Sequence, residues 1–187
     1  MIANSPQIWL LAAIGLLATA GCHPRGGRTE PRPRELMHTG FEDFAGWGPK
    51  IIPLLVTNKA HSGKFALRVD PQHPYSLTFR AELGQLCPGH RPRRLTLSAW
   101  VWVPSYSDEA MLVAAISNPG DLDHPVLHKE VFLNDSRPFR QWKLVSRDID
   151  LPSTLVISSK SQLVIYLWNA GASAPVYADD LLLTELW

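Results

Sequence analysis

From residue 64 onward the chain alternates apolar and polar side chains with a period of two. Phe65, Leu67 and Val69 interleave with Lys64, Ala66 and Arg68, and Leu77, Phe79, Ala81 and Leu83 interleave with Ser76, Thr78, Arg80 and Glu82. Successive side chains of a strand point to opposite faces, so this period predicts strands with one face on a core and one toward water. The clearest case has Leu95, Leu97, Ala99, Val101 and Val103 on one face, with Thr96, Ser98, Trp100 and Trp102 on the other. Met111 to Ile116 and Leu163 to Leu167 are apolar on both faces, as central strands are; Trp142 to Ile149 and Val176 to Leu183 complete the set. Turn-forming clusters separate them, among them Asp70-Pro71, Pro88-Gly89, Asn118-Pro119-Gly120 and Asn169-Ala170-Gly171. No segment carries a sustained 3.6-residue stripe, and no internal repeat is visible. The pattern predicts an all-β fold, a β-sandwich of jelly-roll type with roughly eight to ten antiparallel strands.

The first 35 residues read differently. Ile8 to Ala20 is a run of thirteen apolar or small residues, too short to span a bilayer comfortably, and it ends in Ala18-Thr19-Ala20-Gly21-Cys22. This segment resembles a bacterial lipoprotein signal peptide, although Met1 to Gln7 lacks the usual Lys or Arg. The resemblance implies cleavage after residue 21 and lipidation of Cys22, which would anchor the protein to a membrane. The alternatives are an ordinary secretory signal or a short buried helix. His23 follows Cys22 where an Asp is associated with inner-membrane retention, so the resemblance implies an outer-membrane lipoprotein with its periplasmic or surface face undetermined. Residues 22–35 hold four Arg, three Pro and two Gly without apolar periodicity, and read as a solvated tether. The predicted folded domain is 36–187.

Charge narrows the partners. The chain carries +1, and removing the +3 of His23 to Arg34 leaves Glu35 to Trp187 at about −2. A mildly acidic domain has no electrostatic footprint for nucleic acid. Cys87, at a strand end or in a loop, reads as a small buried hydrophobe, and no Cys–His pair reads as a metal motif. No phosphate loop, nucleophile elbow or triad pattern is present, so the chain is expected not to be an enzyme.

Several short stretches recur in a familiar order: Gly40-Phe41-Glu42, Ala60-His61-Ser62-Gly63-Lys64-Phe65-Ala66-Leu67, Leu97-Ser98-Ala99-Trp100-Val101, Gln141-Trp142-Lys143 and Val176-Tyr177-Ala178-Asp179-Asp180-Leu181. This ordered set resembles carbohydrate-binding modules of the galactose-binding-like jelly-roll superfamily, the cellulose- and xylan-binding type, over residues 36–187. The resemblance implies a saccharide partner. It also implies one structural Ca2+ held by Glu42, by Asp179 or Asp180, and by backbone oxygens near Ser62 to Lys64. Calcium takes six to eight oxygens, which carboxylates and carbonyls supply. The alternative pairs these acids with Lys64, Arg68 or backbone donors. Strand parity puts Asp179 and Asp180 on opposite faces.

A sugar ring presents an apolar C–H face and a rim of hydroxyls, so a flat aromatic beside polar groups is the expected site. Trp100 and Trp102 share the face opposite an aliphatic one and lie about 7 Å apart at the strand rise. They form a predicted outward platform, unless they lie in the core or under a covering loop. Tyr106 follows in a loop, and Arg80, Gln141 and Asn169 are candidate hydrogen-bonders. Trp47, between two glycines, either lids the core or touches ligand. Tyr166 and Trp168 are expected in the core, and Trp142 is expected to pack inward with Leu144, leaving Lys143, Val145 and Arg147 on the other face. In a second reading, the same Trp pair anchors a contact with another envelope protein.

Overall fold

The computed structural model describes residues 33–44, 54–135 and 137–186. The signal segment, Cys22, most of the tether and Trp47 lie outside the described residues. Ten strands run through the described part: β1 (Arg34–Thr39), β2 (Leu55–Val56), β3 (Ala66–Val69), β4 (Phe79–Glu82), β5 (Arg94–Trp102), β6 (Ala110–Ser117), β7 (Leu127–Phe132), β8 (Trp142–Asp150), β9 (Gln162–Asn169) and β10 (Val176–Leu186). A single helical turn, α1 (Leu83–Leu86), follows β4.

The strands form two antiparallel sheets. One runs β2-β3-β10-β5-β8, with β1 also on β10; the other runs β4-β9-β6-β7. β3 pairs with residues 176–178 of β10 and β1 with residues 181–185, so these two strands follow each other along one edge of β10. Between the sheets lies one core, built by the alternation in the sequence. Leu95, Leu97, Ala99, Val101 and Val103 of β5 face Leu112, Ala114 and Ile116 of β6 and Leu163, Ile165 and Leu167 of β9, all essentially closed to water. At about 25 cal/mol per Å2 of apolar area removed from water, each such side chain contributes roughly 1.5–3 kcal/mol before ordering costs.

Three local departures from the sequence pattern have physical causes. The alternation through Leu83 continues as strand only to Glu82; the Leu83 and Gly84 N–H groups turn away to Ser161 and Ser159 carbonyls at 2.9 and 2.8 Å and start α1. β1 begins at Arg34, inside the stretch read as tether, because β10 is long enough to pair with it. Trp142 and Leu144 point outward rather than inward. β8 pairs Trp142 opposite Trp102 and Lys143 opposite Val101, so Lys143 and Val145 take the core side and Leu144 is exposed. Burial lowers the Lys143 pKa, and its Nζ lies 5.1 Å from the Phe139 ring centroid.

Candidate functional site

Each sheet carries aromatic side chains on its outer face. On the six-stranded sheet, Trp100 and Trp102 stand away from the core, but they do not form an open platform. His61 lies flat on Trp100, with centroids 3.9 Å apart and planes 11° apart, and edge-on to Trp142 at 5.7 Å. Lys59 Nζ sits 3.2 Å from the Trp102 centroid, while Tyr177 meets that ring edge-on at 5.7 Å. Both indoles are half-buried beneath the segment that precedes β3. A desolvated ammonium over an indole is worth up to about 2 kcal/mol, and burial lowers the Lys59 pKa.

That covering segment is fastened by the two aspartates. A bulge in β10 between Asp179 and Leu182 adds one residue, and Asp180 takes φ 47. The bulge overrides strand parity, so both carboxylates reach the same turn instead of opposite faces. Asp179 Oδ2 accepts the His61 and Ser62 N–H groups at 2.8 and 3.1 Å, and its Oδ1 accepts the Asp180 N–H at 2.7 Å. Asp180 Oδ2 lies 2.6 Å from His61 Nδ1, and its Oδ1 accepts the Ser62 hydroxyl at 2.6 Å. Glu42 Oε1 accepts the Lys64 and Phe65 N–H groups at 2.7 and 2.9 Å. Burial, joined by the Asp180 charge, raises the Asp179 carboxyl above its ordinary value despite its three N–H bonds.

These three carboxylates are the ones the resemblance assigns to calcium. Their nearest donors are N–H and O–H groups, where calcium requires a shell of oxygens. All three carboxylates are engaged by N–H and O–H donors, most of them in the turn that precedes β3. Of the alternative partners, backbone donors hold Glu42 and Asp179, the Lys64 N–H among them, while the Arg68 side chain pairs with Asp70 at 2.6 Å.

The outer face of the four-stranded sheet carries exposed rings at its margins, Tyr75 and Phe132, while the outward β6 residues Met111, Val113 and Ala115 are buried. Tyr166 and Trp168, expected in the core, lie here instead, because Leu163, Ile165 and Leu167 take the inner positions of β9. Tyr75 bridges to Trp168 through the backbone. Its ring is near-parallel to the indole, 6.1 Å and 9° away, and meets Tyr166 edge-on at 6.1 Å. Tyr75 is 55% exposed. Next along the face, β6 pairs Met111 with Trp168 and Val113 with Tyr166, and β7 sets Phe132 and Glu130 beyond them. Phe132 is 40% exposed, so the row Tyr75, Trp168, Met111, Phe132 crosses the sheet with an open aromatic ring at each end.

Polar groups border this row. Arg80 of β4 is exposed opposite Val164 and donates to Gln162 Oε1 at 3.0 Å. Burial, then the neighbouring Tyr75 and Glu130, raise the Tyr166 pKa, so its phenol stays a hydrogen-bond donor at neutral pH. Tyr106, 70% exposed, stands at the end of the same sheet, where Asn134 beyond β7 donates to its carbonyl at 2.8 Å.

The candidate residues therefore divide. Arg80 belongs to the four-stranded sheet and Tyr106 to the loop between β5 and β6, whereas Trp100 and Trp102 lie on the outer face of the six-stranded sheet. Gln141 is exposed just before β8. Asn169 is buried, with Nδ2 donating to the Ala172 carbonyl and Oδ1 accepting the Gly171 N–H, so both ends of its amide close a turn. Tyr75 was missed because it sits between strands, where periodicity carries no information.

No protein-family profile matches the sequence, and neither does any curated protein sequence. Solved structures do match. The tandem CBM22-1–CBM22-2 domains of Paenibacillus barcinonensis Xyn10C align at TM-score 0.55 and 17% identity, covering 82% of this chain and 50% of that one, so the chain spans half of the tandem. The CBM22-2 xylan-binding domain alone aligns at TM-score 0.54 and 16% identity, covering 80% of this chain and 99% of that domain. The C-terminal family 22 carbohydrate binding module of Clostridium thermocellum Xyn10B aligns at TM-score 0.50 and 16% identity, over 81% and 93% of the two chains. The chain has the jelly-roll β-sandwich fold of these modules.

Proposed function

We propose that this protein is a non-catalytic saccharide-binding module that takes its glycan on the outer face of the four-stranded sheet. The observation that carries the reading is the near-parallel Tyr75–Trp168 pair, with Tyr166 against it and Tyr75 more than half exposed. Flat rings side by side suit the C–H faces of consecutive sugar units. Arg80, Gln162, Glu130 and the Tyr166 phenol supply donors and acceptors for the hydroxyls. The likeness to xylan-binding domains supports the reading and makes xylan the first polysaccharide to try. The covered Trp100–Trp102 strip serves the fold in this account rather than the ligand.

Lipidation of Cys22 would hold the module at the cell envelope, in the outer membrane, with the tether giving it reach. Cys22→Ala then moves the protein from the membrane fraction to the soluble one; unchanged fractionation removes the anchor. For the ligand, affinity electrophoresis through gels holding xylan, β-glucan, galactan or peptidoglycan fragments tests the wild type. Retardation by at least one, competed by soluble oligomers of the same glycan, supports the reading. Mobility unchanged in all of them contradicts it. Capture of an envelope protein that no sugar displaces would favour the docking role instead.

A further inference from the structure

A second cluster, distant in sequence and chemistry from the aromatic row, lies at the end of the sandwich beside α1. Glu185 is on the core side of β10 and only 1% exposed. A buried carboxylate requires charged or hydrogen-bonding partners. Arg34 donates to its Oε2 at 2.9 Å from β1, and His90 Nε2 lies 2.7 Å from its Oε1. The third neighbour is a thiol: Cys87 Sγ lies 3.6 Å from Oε2. The Cys87-Pro88-Gly89-His90 turn brings thiol and imidazole together because Gly89 takes φ 82, open to glycine at little cost.

We propose that Cys87, His90 and Glu185 form a binding site for a single borderline divalent cation of the Zn2+ type. Sulfur, imidazole nitrogen and carboxylate oxygen are the donors such a cation selects, while calcium and magnesium want oxygen alone. One ligand atom from each residue lies within 4.8 Å of the others. A tetrahedral zinc with bonds of about 2.0–2.3 Å sets its ligand atoms roughly 3.3–3.6 Å apart. His90 Nε2 stands 2.7 Å from Oε1 and Cys87 Sγ 3.6 Å from Oε2 of the same carboxylate, and the three ligand atoms lie within 4.8 Å of one another, so side-chain shifts on the order of 1 Å admit the ion.

The surroundings are those of a ligating set. His90 Nδ1 faces the Pro88 carbonyl at 3.3 Å, an acceptor of the kind that fixes the tautomer of a ligating histidine with Nε2 toward the metal. An oxygen acceptor stands beside each ring nitrogen, the Pro88 carbonyl at Nδ1 and Glu185 Oε1 at Nε2. Arg34 holds Oε2, which leaves Oε1 to face the ion. His90 lines two grooves, of about 930 and 570 Å3, the first shared with Glu185 and the second with Cys87, which give an entry path and room for a fourth, water ligand. Burial and the Glu185 charge push the thiol up to about 11, so the ion must displace the Cys87 proton into solvent.

The test uses metal-free full-length protein carrying Cys22→Ala, which leaves Cys87 as its sole thiol. Zinc titration by calorimetry is expected to give one site, with a raised melting temperature that equal Ca2+ or Mg2+ does not reproduce. Cadmium is expected to give an ultraviolet thiolate charge-transfer band that Cys87→Ser abolishes. His90→Gln is expected to weaken zinc at least tenfold. Circular dichroism of each variant establishes that it is folded, and His90→Gln, altering a part-exposed side chain, serves if Cys87→Ser is not. No zinc stoichiometry, zinc bound without a thiolate band under cadmium, or zinc affinity unmoved by His90→Gln overturns the site.

Discussion

His61 lies face to face on Trp100, 3.9 Å between ring centroids, while its Nδ1 is held 2.6 Å from Asp180. One contact thus joins two features that the sequence presents as unrelated, an outward tryptophan and a pair of aspartates in the last strand. The aspartates clasp a turn, and the turn covers the tryptophans. Exposed rings, Tyr75 and Phe132, stand at the margins of the other sheet.

The clasp has unequal halves. Asp179 accepts three backbone N–H groups and is closed to water, whereas Asp180 bonds two side chains and is part-exposed. Stranding a buried donor costs about 1–3 kcal/mol. Asp179→Ala is therefore expected to destabilise by roughly 2–4 kcal/mol and Asp180→Ala by about 1. Urea unfolding at neutral pH measures both, and an equal loss from the two would break the assignment of roles.

Gly63 adds a steric test. It takes φ 57, and a Cβ there would overlap the Glu42 carboxylate. Gly63→Ala should cost about 1–3 kcal/mol. Part of that cost should vanish in a Glu42→Ala background, where only backbone strain remains. A double-mutant cycle with no coupling would place the strain elsewhere.

Acid should act through Asp70 and Asp108. Burial alone would raise both, but it is outweighed: at Asp70 by the His73 and Gln72 N–H groups and Arg68, at Asp108 by Ser105, Ser173 and Ala174. Their folded values lie below the unfolded one of 3.8, so the stability they contribute is present above that value and is lost as pH falls through the folded values. Asp70→Asn and Asp108→Asn are expected to be less stable than wild type at neutral pH, with the gap closing as pH falls below 3.8. Asp179, raised, runs the other way: its favourable contribution fades as pH rises. Urea midpoints measured across this range would contradict the assignment if the gap stayed constant.

Calcium gives a direct check on the carboxylates. Since Glu42, Asp179 and Asp180 are engaged by N–H and O–H donors, adding Ca2+ to metal-free protein is expected to leave the melting temperature in place. A rise of several degrees that Asp179→Asn removes would restore them as calcium ligands.

The sandwich was legible because burial on one face imposes period two. β5 shows it directly, and its parity also puts Trp100 and Trp102 outside the core. What covers them was not legible, since a turn some 40 residues earlier does so through a bulge that breaks parity at Asp180. On β9 both faces are apolar, so Tyr166 and Trp168 could not be told from core by pattern; the register with β6 decides. Cys87 and His90 stand three apart in the sequence, yet the cluster is invisible there because Glu185 joins it from the last strand.

The central claim is that the glycan meets Tyr75, Tyr166 and Trp168 rather than Trp100 and Trp102. Indole N–H signals, assigned by single Trp→Phe substitutions and followed by NMR during titration with soluble xylo-oligosaccharide, test it most directly. The expected result is a saturable shift of the Trp168 signal that disappears in Tyr75→Ala, with the Trp100 and Trp102 signals still. Saturable shifts confined to Trp100 and Trp102 would contradict it.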